Sequence, residues 1–331
     1  GQALYMRSAR QTARTIIVRA VLRHSVPNKG LHPLHRFAAI PHIKLIGGLL
    51  MIIDNIADQL VYSTARIICS NATEAASGTG FFMIYESKSN GNYLALVTNK
   101  HVVSGYSTAT IKLVSDDGNG NPADTDHLTI TLPDLQKNCF YHPDSDIDIC
   151  FVFINSEMEE LQKQGKKPYY RCIGKEMLLR PEDYDSLTAI EDIIMIGYPN
   201  GIMDDYNCKP VVRKGITATN IKLDYDGEPI FLIDAACFPG SSGSPIFLRK
   251  TGLEKETTDN GLRLGVSASY SLLGVLYAGP TISVDGKIII KDIPTSAVPV
   301  AEMETMKNLG YVVKIKKAVE LFELIESSSS K

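Results

Sequence analysis

Apolar runs broken by turn residues recur from about residue 79 to residue 290. They are Thr79–Tyr85, Tyr93–Thr98, His127–Leu132, Ile147–Ile154, Ile193–Tyr198, Pro229–Ala235, Ser244–Leu248, Leu272–Tyr277 and Lys287–Ile290. Asn, Gly, Asp and Pro fill the gaps between them, residues that favour turns. Many short strands separated in this way predict an all-β architecture rather than βαβ units. A polar stretch, Asn155–Glu191, divides the strands into two groups, and Gln162–Pro168 is its most linker-like part. Near the C-terminus, Ile315, Ala318, Val319, Phe322 and Ile325 recur at helical spacing. They predict an amphipathic helix whose apolar face packs on the second strand group, ahead of a Ser327–Ser330 tail. Leu45–Ile53 is a nine-residue apolar run, too short to cross a bilayer. It is expected to be a lead-in helix.

Composition refines this picture at the N-terminus. Over 331 residues the chain is 44% hydrophobic and 21% charged, a balance that suits a soluble globular protein with a substantial core. The first fifty residues differ, with eight Lys/Arg (Arg7, Arg10, Arg14, Arg19, Arg23, Lys29, Arg36, Lys44) and no Asp or Glu. Such a segment fits a mitochondrial targeting sequence, or a basic arm contacting an acidic surface or RNA. It also fits a leader foreign to the folded unit, with Met51 as the natural initiator, and this account is favoured. The six cysteines (69, 139, 150, 172, 208, 237) form no C-x-x-C pair and no metal-ligand spacing with histidine. A reducing, cytoplasmic location is expected, with a secreted or mitochondrial one as the alternative. Cys150 and Cys237 lie in apolar contexts and are expected to pack as small core residues.

The chemistry is concentrated in three places. Gly240-Ser241-Ser242-Gly243-Ser244-Pro245 puts a serine on a glycine turn. A serine hydroxyl needs a neighbouring base to become a nucleophile, and backbone N–H donors to hold the oxyanion that its attack creates. Leu96-Val-Thr-Asn-Lys-His101-Val-Val103 supplies a histidine after an apolar strand, and Asp144-Ser-Asp146-Ile-Asp148 is an acidic turn feeding another. The order His, Asp, Ser differs from those of subtilisins and α/β-hydrolases. All seven histidines (24, 32, 35, 42, 101, 127, 142) precede Ser242, and Ser244 stands where a G-x-S-x-G elbow has its last glycine, so the α/β-hydrolase arrangement is excluded. Taken singly, each element has a plainer reading: a hydrogen-bonded core histidine, an ordinary glycine loop, a solvated acidic turn. Their order and flanking strands favour the catalytic one.

The chain resembles the trypsin-like (chymotrypsin-fold) serine peptidases, and within them the HtrA-like branch. The resemblance rests on Thr98–Val103 around the histidine, Gly197-Tyr-Pro-Asn-Gly201, Asp234-Ala-Ala236 and Pro239–Pro245 around the serine. Leu273-Gly-Val275 and Ser296-Ala-Val-Pro299 complete it. It covers most of residues 60–310, and the Gly-Ser-Pro ending at 243–245 is similar to the glutamyl-endopeptidase branch. The resemblance implies two six-stranded antiparallel β-barrels, the first over about 60–155 and the second over about 190–300. Residues 1–50 then form a basic leader, 51–309 the peptidase domain, and 310–331 a C-terminal helix and tail. It further implies Ser242 as nucleophile, His101 as base and later acid, and Asp148 as the orienting carboxylate, with Asp146 the alternative. The amides of Gly240 and Ser242 would form the oxyanion hole.

Where this chain departs from the family, regulation and specificity change. The aspartate that precedes the nucleophile in digestive enzymes, and pairs with a new N-terminus after zymogen cleavage, is Ser241 here. Val102 replaces a disulfide cysteine beside the histidine. Only about twenty residues follow Gly310, too few for the PDZ module usual in HtrA proteins. Ala236 stands where trypsin has its pocket aspartate, and Tyr277, Ala278 and Gly279 resemble the strand that walls the pocket. An apolar, uncharged pocket is expected, with cleavage after Lys or Arg disfavoured. The expected function is peptide-bond hydrolysis without metal or cofactor, on protein or peptide substrates. Two rivals are an inactive relative serving as a protein- or nucleic-acid-binding module, and an esterase sharing the same acyl chemistry.

Overall fold

A computed structural model of the protein describes residues 43–46, 49–52, 56–86, 92–258, 261–279, 281–287, 300–306 and 308–329. Residues 1–42 of the basic segment, 288–290 of the last apolar run and 296–299 of the last resemblance motif lie outside them. Strands β1 (Ile43–Ile46) and β2 (Leu49–Ile52) form an antiparallel pair where a lead-in helix is expected. The sequence Gly47-Gly48 between them disfavours a helix, and Ile, Leu and Met suit a short hairpin. A short helix, α1 (Ile56–Leu60), follows.

The first half is built on β3 (Thr64–Ser70), β4 (Ala75–Glu86) and β5 (Asn92–Thr98), then the single-turn helix α2 (Lys100–Val103). β6 (Thr108–Asp116), β7 (Pro122–Leu132), β8 (Cys139–Tyr141) and β9 (Cys150–Phe153) complete it. The intervening stretch holds α3 (Asn155–Lys163), β10 (Pro168–Tyr169) and α4 (Pro181–Asp185). The strand order is β10-β6-β3-β4-β5-β9-β8, with β7 paired to β6. This sheet does not close, which corrects the expected first barrel. Its ladder stops between β7 and β8, where Pro133 has no N–H to give, Asp134 takes a left-handed conformation (φ 57°) and a 3-10 turn follows.

The second half is a closed six-stranded barrel, β11-β12-β13-β18-β15-β14. Its strands are β11 (Asp192–Gly197), β12 (Val211–Thr217), β13 (Ile230–Asp234), β14 (Pro245–Thr258), β15 (Gly261–Ala278) and β18 (Leu309–Lys314). β16 (Thr281–Lys287) and β17 (Val300–Met306) pair only with each other. The sixth strand therefore lies beyond the expected barrel limit near residue 300.

The final helix, α5 (Lys316–Ser329), occupies the expected segment. Phe322 stacks on Tyr85 of β4 (5.1 Å between ring centroids) and meets Phe151 of β9 (4.1 Å). The helix therefore packs on the first sheet, within a core cluster that second-barrel residues share. An open sheet leaves one apolar face without a partner, and Ala318, Leu321, Phe322 and Ile325, all buried, supply it. The same core cluster joins Phe81, Val97 and Phe151 of the first half to Phe247, Leu272 and Val275 of the second. The two halves thus share one continuous interior. Among the described residues, no helix is long and apolar enough to cross a membrane.

Candidate active site

Antiparallel pairing of β5 with β9 sets Thr98 opposite Cys150. Residues just after Thr98 and just before Cys150 therefore leave the sheet at the same end. That register places His101, on α2, beside Asp148. The His101 Nδ1 lies 2.5 Å from Asp148 Oδ2, and the His101 backbone N–H donates to Asp148 Oδ1 (3.3 Å). The buried Asn99 side chain donates to the Asp148 carbonyl (2.7 Å) and Lys100 Nζ donates to the Asp144 carbonyl, so both ends of the acidic turn are held. Asp146 is engaged elsewhere, its N–H on Asp144 Oδ1 and its carboxylate taking the Ser145 hydroxyl. The carboxylate on His101 is that of Asp148.

Ser242 sits on the loop between β13 and β14. The carbonyls from Phe238 to Ser242 all have donors. Asn200 N–H donates to Pro239 O (2.5 Å), Ser241 N–H to Phe238 O (3.0 Å), Ser244 N–H to Ser241 O (3.0 Å) and Thr79 N–H to Ser242 O (2.8 Å). Thr79 Oγ1 donates to Gly240 O (2.9 Å). In a trans peptide the carbonyl and the following N–H point opposite ways. With the carbonyls of 239 and 241 turned into the protein, the N–H groups of Gly240 and Ser242 face the other side. Neither has an acceptor among the described residues. Gly240 (φ 83°) and Gly243 (φ 88°) hold left-handed backbone, and a Cβ at Gly243 would come within 1.9 Å of Thr79 O.

The Ser242 hydroxyl donates to the Tyr277 carbonyl (3.4 Å), and no hydrogen bond joins it to His101. Tyr277 nevertheless ties the two parts together. Its phenol is pushed up by burial, then by Tyr311 and by the nearby charge of Asp148. The carbonyl of this β15 residue thus accepts from the nucleophile, while its phenol feels the charge of the acid. Ala278 ends that strand and Gly279 follows it, where a pocket wall is expected.

Thr79 and Arg213 are missing from the sequence reading. Thr79, fully buried, also accepts the Tyr198 N–H on Oγ1 (3.1 Å), while its carbonyl takes the Thr98 hydroxyl (2.7 Å). Thr98, three residues before the histidine, and the carbonyls of Gly240 and Ser242 in the serine turn are therefore all bonded to one residue, Thr79. Its signal was legible: Gly78-Thr79-Gly80 puts two glycines inside a strand, which marks close approach of neighbours. A Cβ at Gly78 would meet Val102 at 2.4 Å. Arg213 of β12 donates to the Ala236 carbonyl. The surroundings of Ala236 are thus not free of charge, as the sequence suggested, but carry a guanidinium.

Residues 78–253 match the family model for the trypsin-like peptidase domain. The chain belongs to that family. The matched residues hold all three of His101, Asp148 and Ser242. Solved structures similar to this trypsin-like peptidase include a serine endoprotease from Yersinia pestis, 12% identical, with 82% of this chain and 65% of that one covered at a TM-score of 0.41. Others are the thermostable serine protease AL20 from an extremophilic microorganism (12% identity, 81% and 99% covered, TM-score 0.42) and the protease Anisep from Arthrobacter nicotinovorans (12%, 82% and 97%, 0.42). This chain therefore spans just under two thirds of the Yersinia protein. No curated protein matches it in sequence. Among the described residues, all six cysteines are free, and no group of three or more His, Cys, Asp or Glu is placed to hold a metal ion.

Proposed function

We propose that this protein is a serine endopeptidase, close to the HtrA-like enzymes, working through His101, Asp148 and Ser242. The observation that carries the reading is the His101–Asp148 contact at 2.5 Å, linked through Thr98 and Thr79 to a serine turn with two N–H groups that have no acceptor among the described residues. Asp148 accepts from Nδ1–H, which leaves Nε2 with the lone pair and fixes the tautomer a base requires. Substrate draws the Ser242 hydroxyl away from the long bond to Tyr277 O, and Oγ attacks the scissile carbonyl as Nε2 takes its proton. The oxyanion is received by the N–H groups of Gly240 and Ser242. His101 then returns the proton to the leaving amine. Water, activated by the same imidazole, releases the acyl group from Ser242. No step needs a cofactor.

Arg213 on the Ala236 carbonyl puts positive charge at the pocket floor, so a basic side chain is disfavoured at the cleaved position. Labelling by a fluorophosphonate tests the reading. Ser242 is expected to be modified, and Ser242→Ala to abolish the label. A folded wild-type protein that stays unlabelled in the presence of peptide substrate refutes the proposal and leaves the binding-module reading.

A further inference from the structure

From Phe238 to Ser242 the loop is held by donors from Thr79, from Asn200 or from itself. At its start, Ala235 N–H donates to Asn308 O (3.1 Å), and the next carbonyl, Ala236 O, is held by Arg213. β12 bonds to β13 only through Ile216–Asp234 and Thr217–Ile233. From Gly215 back to Val211 its edge therefore faces the loop without a backbone ladder. At Gly215 a Cβ would meet Asp234 O at 2.3 Å, so strand and loop are pressed together there. Two residues away, the Arg213 guanidinium spans the gap. It donates to Ala236 O, and its central carbon lies 5.0 Å from the centroid of the Phe238 ring.

This is a costly place for an arginine. Burial holds its guanidinium below the usual range, and among the described residues no carboxylate pairs with it. Its partners are a carbonyl and an aromatic face, both belonging to the serine loop. The same side chain lines a small cleft with Met195, Val211, Ser241 and Ser244. The Ser241 hydroxyl is buried without a hydrogen-bond partner, so the residue before the nucleophile gives the loop no anchor of its own.

We infer that Arg213 is a positioning residue: by gripping Ala236 O and Phe238 it holds the Pro239–Gly240 peptide with its N–H toward the reacting carbonyl. The inference rests on the peptidase reading for its catalytic meaning. Arg213 bonds to Ala236 O and stacks on Phe238, and it makes no hydrogen bond to His101, Asp148 or Ser242.

The test uses the full chain as wild type, Arg213→Ala and Arg213→Lys. Hydrogen exchange is read at the loop amides, and affinity is measured for a peptide aldehyde, whose adduct with serine carries the oxyanion. In Arg213→Ala, exchange across 235–243 is expected to rise about tenfold with the barrel strands unchanged. Aldehyde affinity is expected to fall about a hundredfold while KM, read on a substrate with a small apolar side chain at the cleaved position, moves less than about threefold. Arg213→Lys keeps the charge but loses the fork and the stacking, and should fall between. Guanidinium ion added to Arg213→Ala should restore part of the affinity, which a general loss of stability would not allow. Unchanged loop exchange in a folded Arg213→Ala overturns the inference, as does unchanged aldehyde affinity while the wild type remains active. If Arg213→Ala does not fold, Arg213→Lys decides by the same readouts. A wild type that is folded but inert to fluorophosphonate, with loop exchange still faster in the variant, sinks the peptidase reading and leaves the clamp standing.

Discussion

Replacing Thr79 by valine removes one hydroxyl and almost no volume. The hydroxyl has two partners: it accepts the Tyr198 N–H (3.1 Å) and donates to Gly240 O (2.9 Å). Tyr198 is buried, so its orphaned N–H cannot turn to water and costs about 1–3 kcal/mol. Gly240 is only half-buried, and water partly replaces the lost donor, leaving about 0.5–1.5 kcal/mol. The sum, roughly 1.5–4.5 kcal/mol, corresponds to a fall in Tm of about 2–6 °C for a chain of this size. Catalysis should suffer separately, because Gly240 O no longer fixes the turn that aims the oxyanion donors. A fall in kcat of about tenfold to a hundredfold is expected, less than the 10²–10³ for deleting a donor outright. Thr79→Ser retains the hydroxyl and should recover most of both losses. Thermal melting, and kcat on a peptide found by library screening, are the assays. If Thr79→Val melts within about 1 °C of wild type and turns over at the wild-type rate, the hydroxyl is not what holds the serine turn, and the argument from hydrogen-bond geometry fails.

Three further outcomes follow from single contacts. Asp148→Asn should lower kcat by about 10⁴ by reversing the imidazole tautomer, while Asp146→Asn stays within about threefold, and comparable losses in both would contradict the 2.5 Å pairing. Phe322→Ala removes the ring between Tyr85 and Phe151 and should cost about 3–5 kcal/mol in chemical denaturation; a loss below about 1 kcal/mol would show that α5 does not seal the open sheet. Burial holds His142 below the usual histidine range. The unfolded chain then binds the extra proton first, so stability is lost as pH falls below about 6.5, by at most about 1.4 kcal/mol per pH unit for one proton. His142→Gln should flatten melting temperature against pH in that window, and an unchanged slope would assign it to other groups.

What the sequence showed and what it hid divide along physical lines. The strands over β4, β5, β11, β13, β14 and β15 were legible because each is a run of apolar residues bounded by turn formers, and burial on both faces demands such runs. β12 was not, since its pattern of half-buried and exposed positions leaves Val212, Lys214 and Ile216 outward, with no continuous apolar run. Arg213 was hidden with it. β8 has three residues and β10 two, too few for any period to show. The helix α5 was visible from its spacing, but periodicity tells which face is apolar and nothing about what it meets. That depends on whether the first sheet closes, and closure is decided by a few hydrogen bonds around Pro133 and Asp134.

The three chemical residues were legible for a different reason: each needs a special local backbone that leaves a mark in the sequence. Gly240 and Gly243 flank the serine because both positions have positive φ. His101 follows an apolar strand because α2 must begin where β5 ends. What no local mark could reveal is how the segments are held in register across the interface between the halves. That work falls to Thr79, whose backbone N–H and hydroxyl bind the serine turn while its carbonyl binds Thr98, the residue paired with Cys150 at the root of the acidic turn. On the proposed reading, a base and acid fixed by one sheet and a nucleophile fixed by another are linked through one residue, Thr79, with no chemistry of its own. Substitutions there should therefore change kcat without changing the tautomer of His101, and imidazole NMR at the Nδ1 proton separates the two effects. A Thr79→Val protein that loses the His101–Asp148 proton resonance along with its turnover would place the fault in the acid–base pair instead of the serine turn.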